Sequence, residues 1–239
     1  MKVIYNTPLH EAVSDKCINL LLRAGADENA LDFGGHTPLD TDVYRQMDEC
    51  RCGVALLLCA GADVKAKSNA NLTPLHCART PVVVRQLLEY GANVNVADQN
   101  NRTPLMATLA SPLTSNPLQV VRLLINAGAH VDYCDMLGYT AFAYAIRYWD
   151  ARKDSRECER ILTALLVAGA SLQCRAVGQI LNMTALVMAA TPECVRFLLI
   201  AGLKPTKADV QHLVKESRQN CLLAITVMYP ETIAYIQNI

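Results

Sequence analysis

The chain has 239 residues, 52% of them apolar, and sets 22 Lys and Arg against 22 Asp and Glu. With no basic excess to displace counterions, nucleic acid is not expected as the principal partner. No apolar run approaches the ~18–20 residues of a membrane-spanning helix, and no charged region followed by an apolar core opens the chain. A water-soluble protein that does not bind the membrane is therefore expected, placed in the cytoplasm with the nucleus as the alternative.

Six segments follow one plan. Each opens on a threonine: Thr7, Thr37, Thr73, Thr103, Thr140 and Thr184, in TPLHEA, TPLDTD, TPLHCA, TPLMAT, TAFAYA and TALVMA. Each closes on a glycine: Gly25, Gly61, Gly91, Gly128, Gly169 and Gly202, in AGADEN, AGADVK, YGANVN, AGAHVD, AGASLQ and AGLKPT. The third copy, Thr73 to Asn95, displays the physics most clearly. Thr73 is placed to N-cap a helix, and Pro74 suits the first helical position, where its missing N–H costs nothing. Leu75 and Ala78 recur at helical spacing, and Pro81 is expected to end that helix. A second apolar run, Val82, Val83, Val84, Leu87 and Leu88, reads as an outer helix that Gly91 stops with φ > 0. Such a unit is too small to bury its own apolar faces and must stack on copies of itself.

From each closing Gly to the next Thr the distance is 12 residues four times running, then 15. TPLHxA followed by LLxxGAxVN, locked in this register, resembles the ankyrin repeat, a unit of about 33 residues built from a turn and two helices. The resemblance covers the chain to about residue 205. It implies an all-α solenoid of helix pairs with short β-hairpin or turn fingers, and a concave face that serves as an extended binding surface. The array is expected to span 1–205, with 206–239 as a C-terminal helical cap of the same solenoid. Thr206 and Asp209 resemble a capping box opening a helix to about Glu216; a second helix follows over Cys221–Tyr229, and Pro230 begins a last one. The first repeat has no polar capping repeat before it, so its outer face is expected to be covered, by further chain or by a partner.

The repeats depart from the family in length. From Thr to closing Gly they run 18, 24, 18, 25, 29 and 18 residues, where the ankyrin period leaves about 21. Copies one, three and six are expected to have lost residues between their two helices. Copies two, four and five have gained them, at Tyr44 to Cys52, Ser111 to Pro117 and Tyr148 to Glu157, and these insertions are expected to protrude from one face.

The ten cysteines are expected to be reduced thiols. Cys17, Cys59, Cys158 and Cys194 read as small residues buried by outer helices, and Cys77 lies on an inner helix. Cys50, Cys52 and Cys59 lack the paired spacing of a zinc site, and no metal or cofactor is expected. The sequons at Asn71, Asn101 and Asn182 have a local explanation. Asn takes the slot held elsewhere by Gly35 and Gly138, where a left-handed backbone is needed. No phosphate loop, HExxH or GxSxG occurs, and His10 and His76 read as motif histidines that bond neighbouring turns, so no enzyme is expected.

The family uses its finger residues and the exposed end of the inner helix for contact. The resemblance carries that role onto Phe33, Gly34 and His36; Asn69, Ala70 and Leu72; Gln99, Asn100 and Arg102; and Met136, Leu137 and Tyr139. Ile180, Leu181 and Met183 hold the same places in copy six, where the finger is three residues longer. The inner helix of copy five adds Tyr144, Arg147, Tyr148 and Trp149. Apolar and aromatic residues among these read as a patch for another protein. Charge substitutions at Leu72 or Tyr139 are expected to spare the fold, because finger side chains point away from the core. The expected function is a monomeric, non-enzymatic protein-interaction module. The alternatives are the substrate-recognition subunit of a ubiquitin ligase, as in ankyrin proteins with a C-terminal SOCS or F-box, and a host-targeted effector. The last 34 residues carry no convincing box of either kind.

Overall fold

The computed structural model describes residues 6–45, 52–147, 155–172, 184–216 and 218–232. They form two compact units, one ending at His130 and the other beginning at Val131. In the first unit, helices α1 (Pro8–Glu11), α3 (Pro38–Arg45), α5 (Pro74–Cys77) and α7 (Pro104–Ala110) stack side by side as an inner row. Helices α2 (Asp15–Arg23), α4 (Gly53–Ala60), α6 (Pro81–Glu89) and α8 (Pro117–Asn126) stack as an outer row, each paired with the inner helix before it. The second unit repeats the scheme with inner helices α9 (Ala141–Arg147), α11 (Ala185–Met188) and α13 (Lys207–Lys215). Its outer helices are α10 (Ser155–Val167), α12 (Pro192–Ile200) and α14 (Gln219–Met228), with a 3₁₀ turn at Pro230–Thr232.

The C-terminal segment continues the pattern. Helix α13 packs on α11 and α14 on α12, as an inner and an outer helix of a further repeat would. Its capping box is present: Asp209 Oδ2 accepts from the Thr206 backbone N–H and hydroxyl, both at 2.7 Å, and Asp209 N donates to Thr206 Oγ1. Asp209 also accepts from the Thr184 hydroxyl, which ties this turn to the preceding repeat. Most of the last helix expected after Pro230 falls on residues outside the described set.

The short repeats are shortened inside the inner helix. α1, α5 and α11 are single turns of four residues. Almost at once a hydroxyl residue caps the outer helix: Ser14 Oγ accepts from Cys17 N, Thr80 Oγ1 from Val83 N and Thr191 Oγ1 from Cys194 N. Pro81 therefore opens α6 at its first position rather than ending α5. In each unit the interior is an apolar seam between its two rows, with Leu39, Val83, Leu87, Leu105, Val120 and Leu124 in the first and Phe142, Leu162, Leu186 and Leu198 in the second. Leu88 and Val82, read as core from the sequence, are only half-buried; the stripe that faces α5 and the neighbouring outer helices is Val83, Val84 and Leu87.

Of the three insertions, the one in repeat four lies wholly within the described residues. Residues 111–116 leave α7 and double back, with Ser115 N and Oγ both donating to Arg79 O in the previous repeat. The other two insertions fall largely on residues 46–51 and 148–154, outside the described set. Cys158 and Cys194 are buried as expected, but Cys17 and Cys59 are exposed on their outer helices, and Cys59 Sγ lies 3.3 Å from the Tyr90 hydroxyl.

Candidate protein-binding site

Each finger is a tight turn with a backbone bond across its five residues. Asp32 N donates to His36 O, Ser68 N to Leu72 O, Asp98 N to Arg102 O and Asp135 N to Tyr139 O. Among the described residues these fingers contain no strand; neighbouring fingers of the first unit are joined instead by single backbone bonds, Asn69 N to Gly34 O and Gln99 N to Ala70 O. The slot before the last finger residue is left-handed throughout: φ is +72° at Gly35, +58° at Asn71, +62° at Asn101 and +79° at Gly138. Asn substitutes for Gly here because its side chain tolerates αL better than any other residue with a Cβ. Asn182 lies outside the described residues.

A side chain at the first finger position holds each turn, which the sequence reading missed. Asp98 Oδ1 accepts from the Asn100 and Arg102 N–H groups, and Oδ2 accepts from Arg102 Nε at 2.9 Å and Nη2 at 2.7 Å. Asp135 does the same for Leu137 N and Tyr139 N, and takes the Tyr144 hydroxyl at 2.8 Å. Asp32 accepts from His36 N, and Ser68 Oγ from Leu72 N. The signal was present as a short acceptor four residues before each of His36, Leu72, Arg102 and Tyr139.

The candidate contact residues thereby separate into kinds. Phe33 is 88% exposed, and Met136 and Leu137 also project into solvent; Asn69, Gln99 and Asn100 are exposed as well. Asn69 Nδ2 braces the Phe33 carbonyl at 3.1 Å. Arg102 spends its charge on the buried Asp98, so its guanidinium is chiefly a brace within its own finger. Leu72 and Tyr139 are half-buried. Leu72 lines a cleft, and Tyr139 packs edge-on to Tyr144, with ring centroids 6.1 Å apart, under the Arg147 guanidinium. The expectation that charges at these two positions would spare the fold is corrected accordingly. Tyr148 and Trp149, and with them Ile180, Leu181 and Met183, lie outside the described residues.

In the first unit, His36 and Leu72, from successive fingers, meet in one cleft of about 310 Å³ over α3, lined also by Asp40, Thr41, Tyr44 and Cys77. The cleft has a local cause. In repeats one and three the fourth motif residue is a histidine that reaches the following finger: His10 Nε2 is 3.0 Å from His36 O, and His76 Nε2 is 3.0 Å from Arg102 O. Repeat two has Asp40 instead. Its carboxylate accepts from the Thr37 N–H and hydroxyl, at 2.8 and 2.9 Å, and is too short to span to Leu72. Burial pushes the Asp40 carboxyl above its ordinary range, and burial together with the Asp40 charge pushes the Cys77 thiol up to about 11. Cys77 is thus a thiol, not a thiolate, at neutral pH. At the margin the Arg79 guanidinium sits 4.5 Å above the Tyr44 ring, a cation–π contact that fixes both side chains.

Residues 47–135 and 79–171 match the family model of ankyrin repeats in three copies, and residues 5–33 match that of the single ankyrin repeat. The chain belongs to the ankyrin-repeat family. Human ankyrin repeat and SOCS box protein 6 is 32% identical over 176 residues, 65% of this chain and 40% of that protein. The Drosophila melanogaster transient receptor potential cation channel subfamily A member 1 is 28% identical over 154 residues, 59% of this chain and 12% of its own length. A putative ankyrin repeat protein of fowlpox virus, FPV031, is 29% identical over 125 residues, half of this chain and 36% of its own. The chain thus matches well under half the length of each of these relatives. Ankyrin repeats are in general protein–protein interaction modules without catalytic activity. No helix among the described residues is long and apolar enough to cross a membrane.

Proposed function

We propose that this ankyrin-repeat chain is a non-enzymatic binding module that grips a partner protein with its fingers and the adjoining inner helices. The observation that carries the reading is the cleft where Asp40 replaces a bridging histidine, walled by His36 and Leu72 from two fingers, the first of which also carries the exposed Phe33. An aromatic or aliphatic side chain in an elongated partner segment fits a cleft of this size, with Phe33 and Asn69 as further contacts. The exposed Met136 and Leu137 offer a second group of contacts on the other unit. We place the binding in the cytoplasm, where the thiols of Cys17, Cys52, Cys59 and Cys77 stay reduced, with the protein acting as a monomer.

The test is quantitative capture from cell extract with the immobilised chain, comparing wild type, Phe33→Glu and Thr41→Arg with Arg85→Glu on the outer face of α6. A partner held by wild type and Arg85→Glu and lost at least tenfold by both finger-side variants is the expected result. Equal capture by all four overturns the reading. A second reading, as the substrate-recognition subunit of a ubiquitin ligase, rests on the similarity to ankyrin repeat and SOCS box protein 6; cullin adaptor subunits in the same capture would favour it.

A further inference from the structure

We infer that a second cleft, between Tyr139, Arg147, Met188 and Arg218, binds a carboxylate of an acidic segment in the partner protein. The inference rests on the interaction-module reading and names the chemistry of one contact within it. The cleft has a volume of about 320 Å³ and lies wholly within the unit that begins at Val131, with Val187 completing its wall.

Two guanidinium groups line it, and among the described residues neither has a carboxylate partner. Each is held in place by something other than an anion. Arg218 Nη1 donates to Val187 O and Ala189 O, both at 3.2 Å, so it caps the C-terminal end of α11, where carbonyls are otherwise unsatisfied. That leaves Nε and Nη2 of Arg218 with no acceptor among the described residues. Arg147 ends α9 and is exposed, its guanidinium 5.7 Å from the Tyr139 ring centroid, and Tyr139 is itself fixed edge-on to Tyr144. Elsewhere among the described residues Arg45 is answered by Glu11 and Arg102 by Asp98. Two fixed positive groups facing one small cleft, with no counter-charge among the described residues, match an anion arriving from outside.

A carboxylate fits better than a phosphate. With Arg218 Nη1 committed to two carbonyls, its Nε–Nη2 edge presents two parallel donors, the same edge by which Arg102 engages the carboxylate of Asp98, and the Arg147 charge lies across the cleft. A phosphate presents three oxygens and nearly two charges. Val187, Met188 and the Tyr139 ring supply apolar wall for the methylenes of a Glu stem and for an aliphatic neighbour.

The probe is a fluorescein-labelled degenerate decapeptide with Leu-Glu-Glu fixed at its centre, titrated with the full chain and followed by polarisation. Matched libraries carry Gln-Gln or phosphoserine in place of the glutamates. The Glu library should bind at least tenfold tighter than the Gln library, and Arg147→Met should remove most of that difference while circular dichroism stays unchanged. Arg218→Met should act in the same direction, but it also uncaps α11, so Arg147→Met decides. Arg85→Met, an exposed arginine of the other unit, should bind as wild type. Equal binding of Glu and Gln libraries, or full binding by Arg147→Met, overturns the site. A phosphoserine library binding tenfold tighter than Glu also overturns it, in favour of a phosphopeptide. Loss of natural partner capture by Phe33→Glu without any effect of Arg147→Met removes this site and leaves the interaction module standing. Loss by Arg147→Met alone supports the site and displaces the fingers.

Discussion

His76 Nε2 lies 3.0 Å from the carbonyl oxygen of Arg102, one repeat further along the chain. A carbonyl only accepts, so Nε2 carries the proton, and Nδ1 must be the acceptor for the Thr73 backbone N–H at 3.1 Å and its hydroxyl at 2.9 Å. One neutral ring thus satisfies the open end of its own helix and fastens the next finger. A second ladder does comparable work on the outer side. Asn95 Nδ2 donates to Gly128 O while its Oδ1 accepts from His130 N, and Asn29 joins Gly61 and Asp63 in the same way. Nearest-neighbour bonds of this kind, added to the apolar seam, are what couple one repeat to the next.

The first prediction concerns pH. Burial holds the His76 pKa below its ordinary 6.5, against the smaller raising effect of the bond to Arg102. The unfolded chain then binds the proton more readily than the folded one. Its stabilising contribution is complete above about pH 6.5 and is lost as pH falls through the lower folded value. Urea unfolding at pH 7.5 and 5.5 should give a lower stability at 5.5, and His76→Gln should reduce that difference. The same substitution should cost about 1–3 kcal/mol at pH 7.5. An unchanged pH difference in the variant would show that the ring is not buried as described.

Much of this architecture is legible before any coordinates. The Thr–Pro openings, the closing glycines and the Gly or Asn finger slot each state a backbone requirement in a single residue type. What escaped reading was side chains with two candidate roles. Pro81 serves equally to stop one helix and to start the next, and only the Thr80 cap decides it. Arg102 and Tyr139 read as contact residues because the acidic residues four positions before them, Asp98 and Asp135, do not reveal from sequence alone that they already engage their fingers. Arg218 could not be placed at all: the carbonyls it caps lie about thirty residues away in sequence. The Asp40 cleft was visible as TPLD among TPLH motifs, but its consequence depends on the length of a side chain across a gap.

A second prediction separates neighbouring leucines. Leu87 is fully buried between α6 and its neighbours and Leu88 is half-exposed. Leu87→Ala should cost about 2–5 kcal/mol, as an unrelaxed cavity does, and Leu88→Ala about 1 kcal/mol. Equal costs in urea unfolding would mean that α6 is rotated from the orientation described.

A third prediction tests the finger slot. Asn71 has φ of +58°, and its N–H donates to Ser68 O at 2.8 Å. Asn71→Gly should leave stability within about 0.5 kcal/mol of wild type, while Asn71→Ala should lose about 1–2 kcal/mol to left-handed strain. Thermal unfolding of the pair is sufficient; an Ala variant as stable as Gly would remove the backbone explanation for the sequon.

The last prediction joins stability to binding at one residue. Asp40 occupies the position from which His10 and His76 reach across to the next finger, and the cleft lies over the resulting gap. Its carboxyl is raised by burial, so it favours folding below its ordinary value of 3.8 and that contribution is lost as pH rises through the folded pKa. At neutral pH the fold therefore carries a buried charge that, among the described residues, accepts only from the N–H and hydroxyl of Thr37. Asp40→His should keep the bond to Thr37 through Nδ1, donate from Nε2 to the Leu72 carbonyl, and remove the buried charge. Stability at pH 7.5 should rise by about 1 kcal/mol, the net worth of one hydrogen bond. The imidazole would also occupy the space between His36 and Leu72. A partner side chain that enters there should be excluded, and affinity measured by calorimetry with the captured partner should fall at least tenfold, about 1.4 kcal/mol. A more stable variant with undiminished affinity would place the partner elsewhere on the array. A less stable one would show that the carboxylate at Asp40 has a local role that histidine cannot take over.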